Sequence, residues 1–374
     1  MKSTNIIILV FILSFCHEPS YACTGLYYSD DNIILAGSNL DWFDPIAKIW
    51  YIPSQEDKYG VIYFGANGSP QYGMNEKGLF FQRQMNSYVK VTKSARKPFY
   101  EGPLFHKIMQ ECTSIEEVIE ILNQYNLKEL ERAKIFFGDL NGNSIIVEGD
   151  NIVKKQGKYQ ICRALLCQSE MNQPGYQYNI YKKAESMIKG KTASIELFRK
   201  TLQQVCARKQ NPTVCSSVFN LKNGNIYLYY YHDFRTVYKI NFEEELKKGK
   251  RIIEIHELFP KNERANKYRK MLSEKMESWK SARQIVDIDA NIYKDYTGKY
   301  RTSFNGVPQI ISITTEQDKL YYSTSEFGKG ELLPTSSKTF FFVYIDGIWD
   351  VEFTENSVIT KSKNYNYTAY RVRP

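Results

Sequence analysis

The residue carrying the most chemistry is Cys23, because of what stands before it. Lys2, the apolar run from Ile6 to Phe15, and the small residues Ser20 and Ala22 make residues 1–22 read as a secretory signal with a cleavage point before Cys23. Cleavage there places a thiol and a free α-amine on one residue. An α-amine has a reference pKa of about 7.7–8.0, so it can accept the thiol proton near neutral pH. Such a cysteine needs no separate histidine as base. Two plainer readings compete for the same residue. One is a lipid-acylated anchor cysteine, although Ser20 stands where a Leu-like residue is usual and the bulky Tyr21 follows. The other is an inert disulfide cysteine in an oxidising compartment.

A nucleophile with its own base still needs a group that orients it. The segment Cys23-Thr24-Gly25-Leu26-Tyr27-Tyr28 alternates as a strand, Asp30-Asp31-Asn32 supplies a turn, and the chain returns as a second strand from Ile33 to Ser38. That hairpin carries Asn39-Leu40-Asp41-Trp42 back toward the terminus. Asp41 is therefore the candidate orienter, with a turn or cap carboxylate as the plain alternative.

Four spaced segments give the chain a resemblance to a known family. These are Cys23-Thr24-Gly25, Gly37-Ser38-Asn39-Leu40-Asp41-Trp42, the loop Gly73-Met74-Asn75-Glu76-Lys77-Gly78-Leu79, and Gly138-Asp139-Leu140-Asn141-Gly142-Asn143-Ser144-Ile145-Ile146-Val147-Glu148. In this order they resemble the choloylglycine hydrolase and penicillin V acylase family, with the related linear-amide hydrolases and isopenicillin N acyltransferases, over roughly residues 23–240. The resemblance implies an N-terminal nucleophile (Ntn) hydrolase fold, an α+β sandwich of two antiparallel sheets between helical layers. It implies Cys23 as nucleophile and Asp41 beside it. Without the family, Asn75-Glu76-Lys77-Gly78 and Asn141-Gly142-Asn143 still read as turns between apolar flanks, with an architectural role.

The chain departs from the family pattern in places that bear on function. The arginine of the family's Gly-Arg-Asn box is Ser38 here, and Arg83 is a candidate to restore that charge, although an arginine in an alternating strand is ordinarily solvated at its tip. The resemblance implies two amide donors to an oxyanion. Gln168 is the nearest match for one, with Asn172 as its rival and a surface amide as the plain reading of either, and Asn86 is the candidate for the other. A donor of that kind contributes on the order of 3 kcal/mol to a transition state. The arginine that bile salt hydrolases carry near Ser216–Tyr229 is missing too. Together these losses argue against bile salts as substrate. Trp42 and its aromatic neighbours to residue 64 suit an apolar acyl group, and core packing explains them equally well.

Composition narrows the classes further. Beyond residue 22 no apolar run reaches the ~20 residues of a membrane helix. A net charge of +9 and a pI near 8.9 fit a moderately basic exported protein better than a nucleic-acid binder. His106, His232 and His256 lack neighbours at a zinc spacing, so neither a metal nor a cofactor is expected, while a papain-like pairing of cysteine and histidine stays open. Cys206 and Cys215 flank a short loop and are candidates to pair after export.

The expected organisation is a signal at 1–22, a catalytic domain at 23–242, a helical connector at 243–288 and a small β-barrel-like domain at 289–374, whose strand pattern resembles a lipocalin-like appendage. Helices are expected from Phe105 to Tyr125, Tyr178 to Ile188 and Ser194 to Cys206. Another is expected from Asn262 to Arg283, with Tyr268, Met271, Met276 and Trp279 on its packed face. The function expected is a secreted or periplasmic amidase that acts on a small N-acyl amide through a Cys23 thioester. An acyltransferase of the same fold, or a lipid-anchored binding protein without catalysis, is the alternative. Self-association through the aromatic C-terminal region stays open.

Overall fold

The structure, a computed structural model, describes residues 23–42, 45–66, 69–86, 88–92, 97–98, 100, 104–164, 175–208, 211–304, 307–324, 328–344, 347–363 and 365–372. The expectations for residues 1–22, Gln168 and Asn172 lie outside these residues. Among the described residues no helix is long and apolar enough to cross a membrane.

The chain opens as the expected hairpin, β1 (Thr24–Ser29) and β2 (Ile34–Asp41), turned by Asp30, whose Oδ1 accepts from the backbone N–H groups of Asn32 and Ile33. Four strands follow: β3 (Ala47–Ile52), β4 (Val61–Ala66), β5 (Ser69–Asn75) and β6 (Phe80–Met85). After α1 (Leu104–Glu111) and α2 (Ile115–Gln124) come β7 (Ala133–Gly138), β8 (Ser144–Glu148), β9 (Asn151–Lys154) and β10 (Tyr159–Arg163). Helices α3 (Tyr176–Ile188) and α4 (Ile195–Val205) lead into β11 (Thr213–Asn220), β12 (Asn225–Tyr230) and β13 (Asp233–Asn241). A short helix α5 (Phe242–Lys247) and strand β14 (Arg251–Glu254) complete this part.

These strands form two antiparallel sheets. One has the order β10-β1-β2-β11-β12-β13, and the other β14-β3-β4-β5-β6-β7-β8-β9. Alternation along each strand sends one set of side chains between the sheets, including Tyr27, Leu40, Phe64, Tyr72, Phe80 and Phe136. The opposite faces pack on helices: Val61, Tyr63 and Phe81 against Ile108, Met109 and Val118 of α1 and α2, and Leu26, Leu35 and Val218 against Ala184, Phe198 and Leu202 of α3 and α4. The result is a helix, sheet, sheet, helix sandwich, as the family resemblance leads one to expect. The sheets are in tight contact at Gly25 of β1. A Cβ built on Gly25 would stand 2.2 Å from Gln82 Oε1 and 2.7 Å from the Phe136 ring.

Local structure departs from the sequence reading in four instructive places. The single helix expected from Phe105 to Tyr125 is broken after Glu111. Asn75 Nδ2 donates to the carbonyls of Met109 and Cys112 at 3.0 and 2.8 Å, ending α1, and a capping box of Ser114 and Glu117 starts α2. The connector contains a strand, because Arg251–Glu254 pairs with β3 at the sheet edge. In α6 (Glu263–Ser281) the buried residues are Ala265 and Leu272, with Tyr268 stacked on Tyr231 at 5.4 Å, while Met271 is half exposed. Cys206 and Cys215 are both free thiols; Cys206 Sγ donates to Gln203 O and Cys215 Sγ lies 3.2 Å from Tyr72 Oη.

The C-terminal region is a closed barrel of eight strands: β15 (Gly298–Phe304), β16 (Val307–Glu316), β17 (Lys319–Thr324), β18 (Gly328–Pro334), β19 (Thr339–Tyr344), β20 (Gly347–Phe353), β21 (Ser357–Lys361) and β22 (Asn366–Arg371). Closure removes the free edges that such short strands would otherwise present. Its interior is filled by its own aromatic residues, among them Tyr300, Tyr322, Phe340, Phe342 and Trp349. Tyr293 and Tyr296, just before β15, join this core, and Tyr296 stacks on Phe353 at 4.2 Å.

Candidate active site

Cys23 stands directly before β1, held on both sides by the sheet. Its carbonyl accepts from Ala164 N–H at 3.0 Å, continuing the pairing of β1 with β10, and its Sγ lies 4.0 Å from the backbone oxygen of Asp41 at the end of β2. Strand alternation puts the Cys23 side chain on the face between the sheets, with Tyr27. Thr24 points the other way, toward the helices. Asn39 and Asp41 leave β2 on that helix side, since Asn39 Nδ2 donates to Leu202 O of α4. The carboxylate and the sulfur thus lie on opposite faces of the sheet at the start of β1.

The carboxylate of Asp41 is fully buried. Its Oδ1 accepts from Thr213 Oγ1 of β11, the residue opposite it in the sheet. Its Oδ2 lies 3.9 Å from Arg163 Nη1 and accepts no hydrogen bond. Burial raises the Asp41 carboxyl to about 7, against the opposing pull of the Arg163 charge and the Thr213 hydroxyl. Burial also pushes the Cys23 thiol up to about 12, with the nearby Asp41 charge adding to the shift. In the full-length chain, where the nitrogen of residue 23 is an amide, the thiol is protonated at neutral pH.

Behind the nucleophile a row of buried amides ties the two sheets together. Gln82 Nε2 of β6 donates to Ser38 Oγ at 2.8 Å and lies 3.3 Å from Thr24 O, and Gln84 Nε2 donates to Gln82 Oε1 at 3.0 Å. Asn39 Oδ1 accepts from Ser216 Oγ at 2.7 Å. Tyr72 Oη meets Ser217 Oγ at 2.9 Å. These contacts tie the ends of β1, β2 and β11 to β5 and β6.

The structure therefore brings Cys23 and Asp41 together. Trp42 follows directly, its N–H donating to Pro212 O at 3.0 Å while its half-buried ring packs against the core between the sheets. Asn86, just past β6, is buried and donates from Nδ2 to Glu148 Oε1 at 3.1 Å, with Lys134 Nζ 3.8 Å from the same oxygen. Arg83 leaves β6 on the face opposite Gln82 and Gln84, away from the β1 and β2 ends. Gln168 lies outside the described residues. Sequence reasoning missed Thr213 and Arg163. Both are strand residues whose neighbours in sequence carry no motif, and only sheet register sets them beside Asp41.

The histidines find other partners. His106 Nδ1 lies 3.3 Å from Tyr63 Oη and His232 Nε2 lies 2.7 Å from Ala207 O, and burial lowers both to about 4. Neither supplies Cys23 with a papain-like base. The ligand-type atoms of Glu254, His256 and Glu257 lie within 4.8 Å of one another, a juxtaposition the zinc-spacing reading did not anticipate. Lys48 already sits 3.9 Å from Glu254 there. A cleft of about 400 Å³ opens between β8, β9 and β10, lined by Lys134, Glu148, Cys162 and Arg163 among others.

Comparison with known proteins finds no matching family model and no match among curated proteins. Among solved structures the chain is similar to penicillin V acylase from Agrobacterium tumefaciens, at 15% identity over 62% of this chain and 90% of that one, with a TM-score of 0.48. It is also similar to two variants of conjugated bile acid hydrolase from Clostridium perfringens, at 18% and 20% identity over 62% of this chain and 96% of theirs, with TM-scores of 0.47 and 0.49.

Proposed function

We propose that the chain is the precursor of an exported cysteine amidase that cleaves a small N-acyl amide. The observation that carries this reading is the orphaned Oδ2 of Asp41. A fully buried carboxylate oxygen without a hydrogen bond is costly, by about 1–3 kcal/mol or more for a charged group. It lies at the strand end where removal of residues 1–22 would create an α-ammonium. That group would give Oδ2 its missing donor and fix the new terminus against Cys23 Sγ.

In the processed protein the α-amine takes the thiol proton and the sulfur attacks the carboxamide carbonyl. The tetrahedral intermediate collapses as the α-ammonium returns the proton to the leaving amine, so a free amine departs and the acyl group stays on Cys23 as a thioester. Water, activated by the same amine, attacks the thioester and releases the carboxylic acid. Asp41 holds the terminus through both half-reactions. Gln168 and Asn86 are the proposed amide donors to the oxyanion; Asn86 would have to exchange its bond to Glu148 for that role. Trp42 offers apolar surface to the acyl group, whereas Arg83, on the helix-facing side of β6, takes no part in binding it.

The test is Cys23→Ala in the exported protein, assayed on a panel of N-acyl amides. The proposal expects loss of turnover with an unchanged melting curve, and activity retained in this variant rejects it.

A further inference from the structure

We infer that Arg163, on the neighbouring strand β10, is the residue that sets the charge state of the Cys23 and Asp41 pair. The inference rests on the amidase reading above and names a positioning residue for its site. The guanidinium is almost wholly buried, with its side chain 1% exposed, and contacts to Thr24, Gln177 and Asp41 help fix its aim. Nη1 donates to Thr24 Oγ1 at 2.6 Å, Nε donates to Gln177 Oε1 of α3 at 2.8 Å, and Nη1 stands 3.9 Å from Asp41 Oδ2. The backbone adds a further constraint, because Arg163 is the register partner of Thr24, the residue directly after the nucleophile. Arg163 therefore reaches across β1 from one side of the terminus to the carboxylate on the other.

A buried ion pair at this distance, without a direct hydrogen bond, contributes little as a structural clamp. Its charge does oppose the burial that drives the Asp41 carboxyl toward its neutral form. Thr213 completes the arrangement by donating to Oδ1, so Oδ2 faces both the cation and the start of β1. The guanidinium is committed to Thr24 and Gln177 on the helix side of the sheet, whereas the sulfur faces the space between the sheets. The guanidinium charge also acts directly on the thiol, lowering it against the burial and the Asp41 charge that raise it. A lysine, with a point charge and no planar fork, could keep the charge while losing one of the two anchors.

The experiment measures the pH dependence of Cys23 alkylation by iodoacetamide, read by mass spectrometry on the exported, processed protein. Wild type, Arg163→Lys, Arg163→Met and Thr24→Val are compared between pH 5 and 9.5. Wild type should show an inflection below the ordinary thiol value of about 8.5. In Arg163→Met that inflection should move up by at least one pH unit, with the rate at pH 9.5 within about threefold of wild type. Arg163→Lys should move it by less than half of that. If Arg163→Met is not recovered folded, Thr24→Val, which removes the hydroxyl that aims Nη1, should move it up by at least half a unit. A uniform loss of rate at every pH, or an unmoved inflection in the folded variants, overturns the role of Arg163. A wild-type thiol that titrates at or above 8.5 overturns instead the amidase reading beneath it.

Discussion

Replacing Asp41 by Asn should stabilise the uncleaved chain while destroying the function of the processed one. The Asp41 carboxyl sits at about 7 in the full-length chain against an ordinary value of 3.8. Its value is raised in the folded state, so the fold is favoured by the protonated form. That contribution is fully present below pH 3.8 and is lost as pH rises through about 7. A shift of roughly three units, at about 1.36 kcal/mol per unit, corresponds to about 4 kcal/mol of cost at pH 8. Asn has the same shape and no charge, but its amide must meet Arg163, so the recovered stability should be about 2–4 kcal/mol. The assay is urea unfolding of wild type and Asp41→Asn at pH 4 and pH 8. Each is prepared both as the unprocessed chain and as the exported, processed protein. The unprocessed variant should gain stability at pH 8 and almost none at pH 4. The processed variant should gain little at either pH, because the α-ammonium of Cys23 already satisfies Oδ2. Equal gains in both preparations, or no dependence on pH, would refute the argument that the buried carboxylate awaits the cleaved terminus.

Three further outcomes follow from the same packing. Thr213→Val removes the donor to Asp41 Oδ1 and should cost about 1.5–3 kcal/mol of carboxylate stabilisation, moving the acid limb of the pH–rate profile up by one to two units; an unmoved limb would show that this hydroxyl does not tune the carboxylate. Gly25→Ala forces a Cβ against Gln82 and Phe136 and should lower stability by at least about 1–3 kcal/mol in urea titrations. Asn75→Ala strips the carbonyls of Met109 and Cys112 at the end of α1 and two turn amides of their partners, so hydrogen exchange at Lys77, Leu79 and the α1 end should rise, with about 2–4 kcal/mol of stability lost in urea titrations.

Local chemistry made some of this legible in the sequence, and pairing between distant strands hid the rest. The hairpin that returns Asp41 to Cys23 could be read because alternation and an Asp-rich turn lie within one short segment. The turns at Asn75–Gly78 and Asn141–Asn143 were equally plain, and Gly78 and Gly142 take the positive φ angles of 75° and 84° that glycine allows. Arg163 could not be found that way, since its link to Thr24 and Asp41 exists only once β10 has paired with β1. The break between α1 and α2 was hidden for a related reason, because the residue that ends α1 is Asn75 on β5. Strand Arg251–Glu254 lay within a charged stretch whose composition suggested helix, and its partner β3 decides otherwise. For α6 the apolar spacing pointed to a face with Met271 on it, but docking through Tyr268 buries Ala265 and Leu272 instead.

The measurement closest to the central claim is intact-mass spectrometry of the exported protein after brief exposure to an activated acyl ester, with the modified residue located by fragmentation. The account predicts a chain that begins at Cys23 and carries one acyl group on its sulfur, absent from the unprocessed chain. An acyl group on any other residue, or turnover by protein that starts elsewhere or carries a blocked terminus, would contradict it.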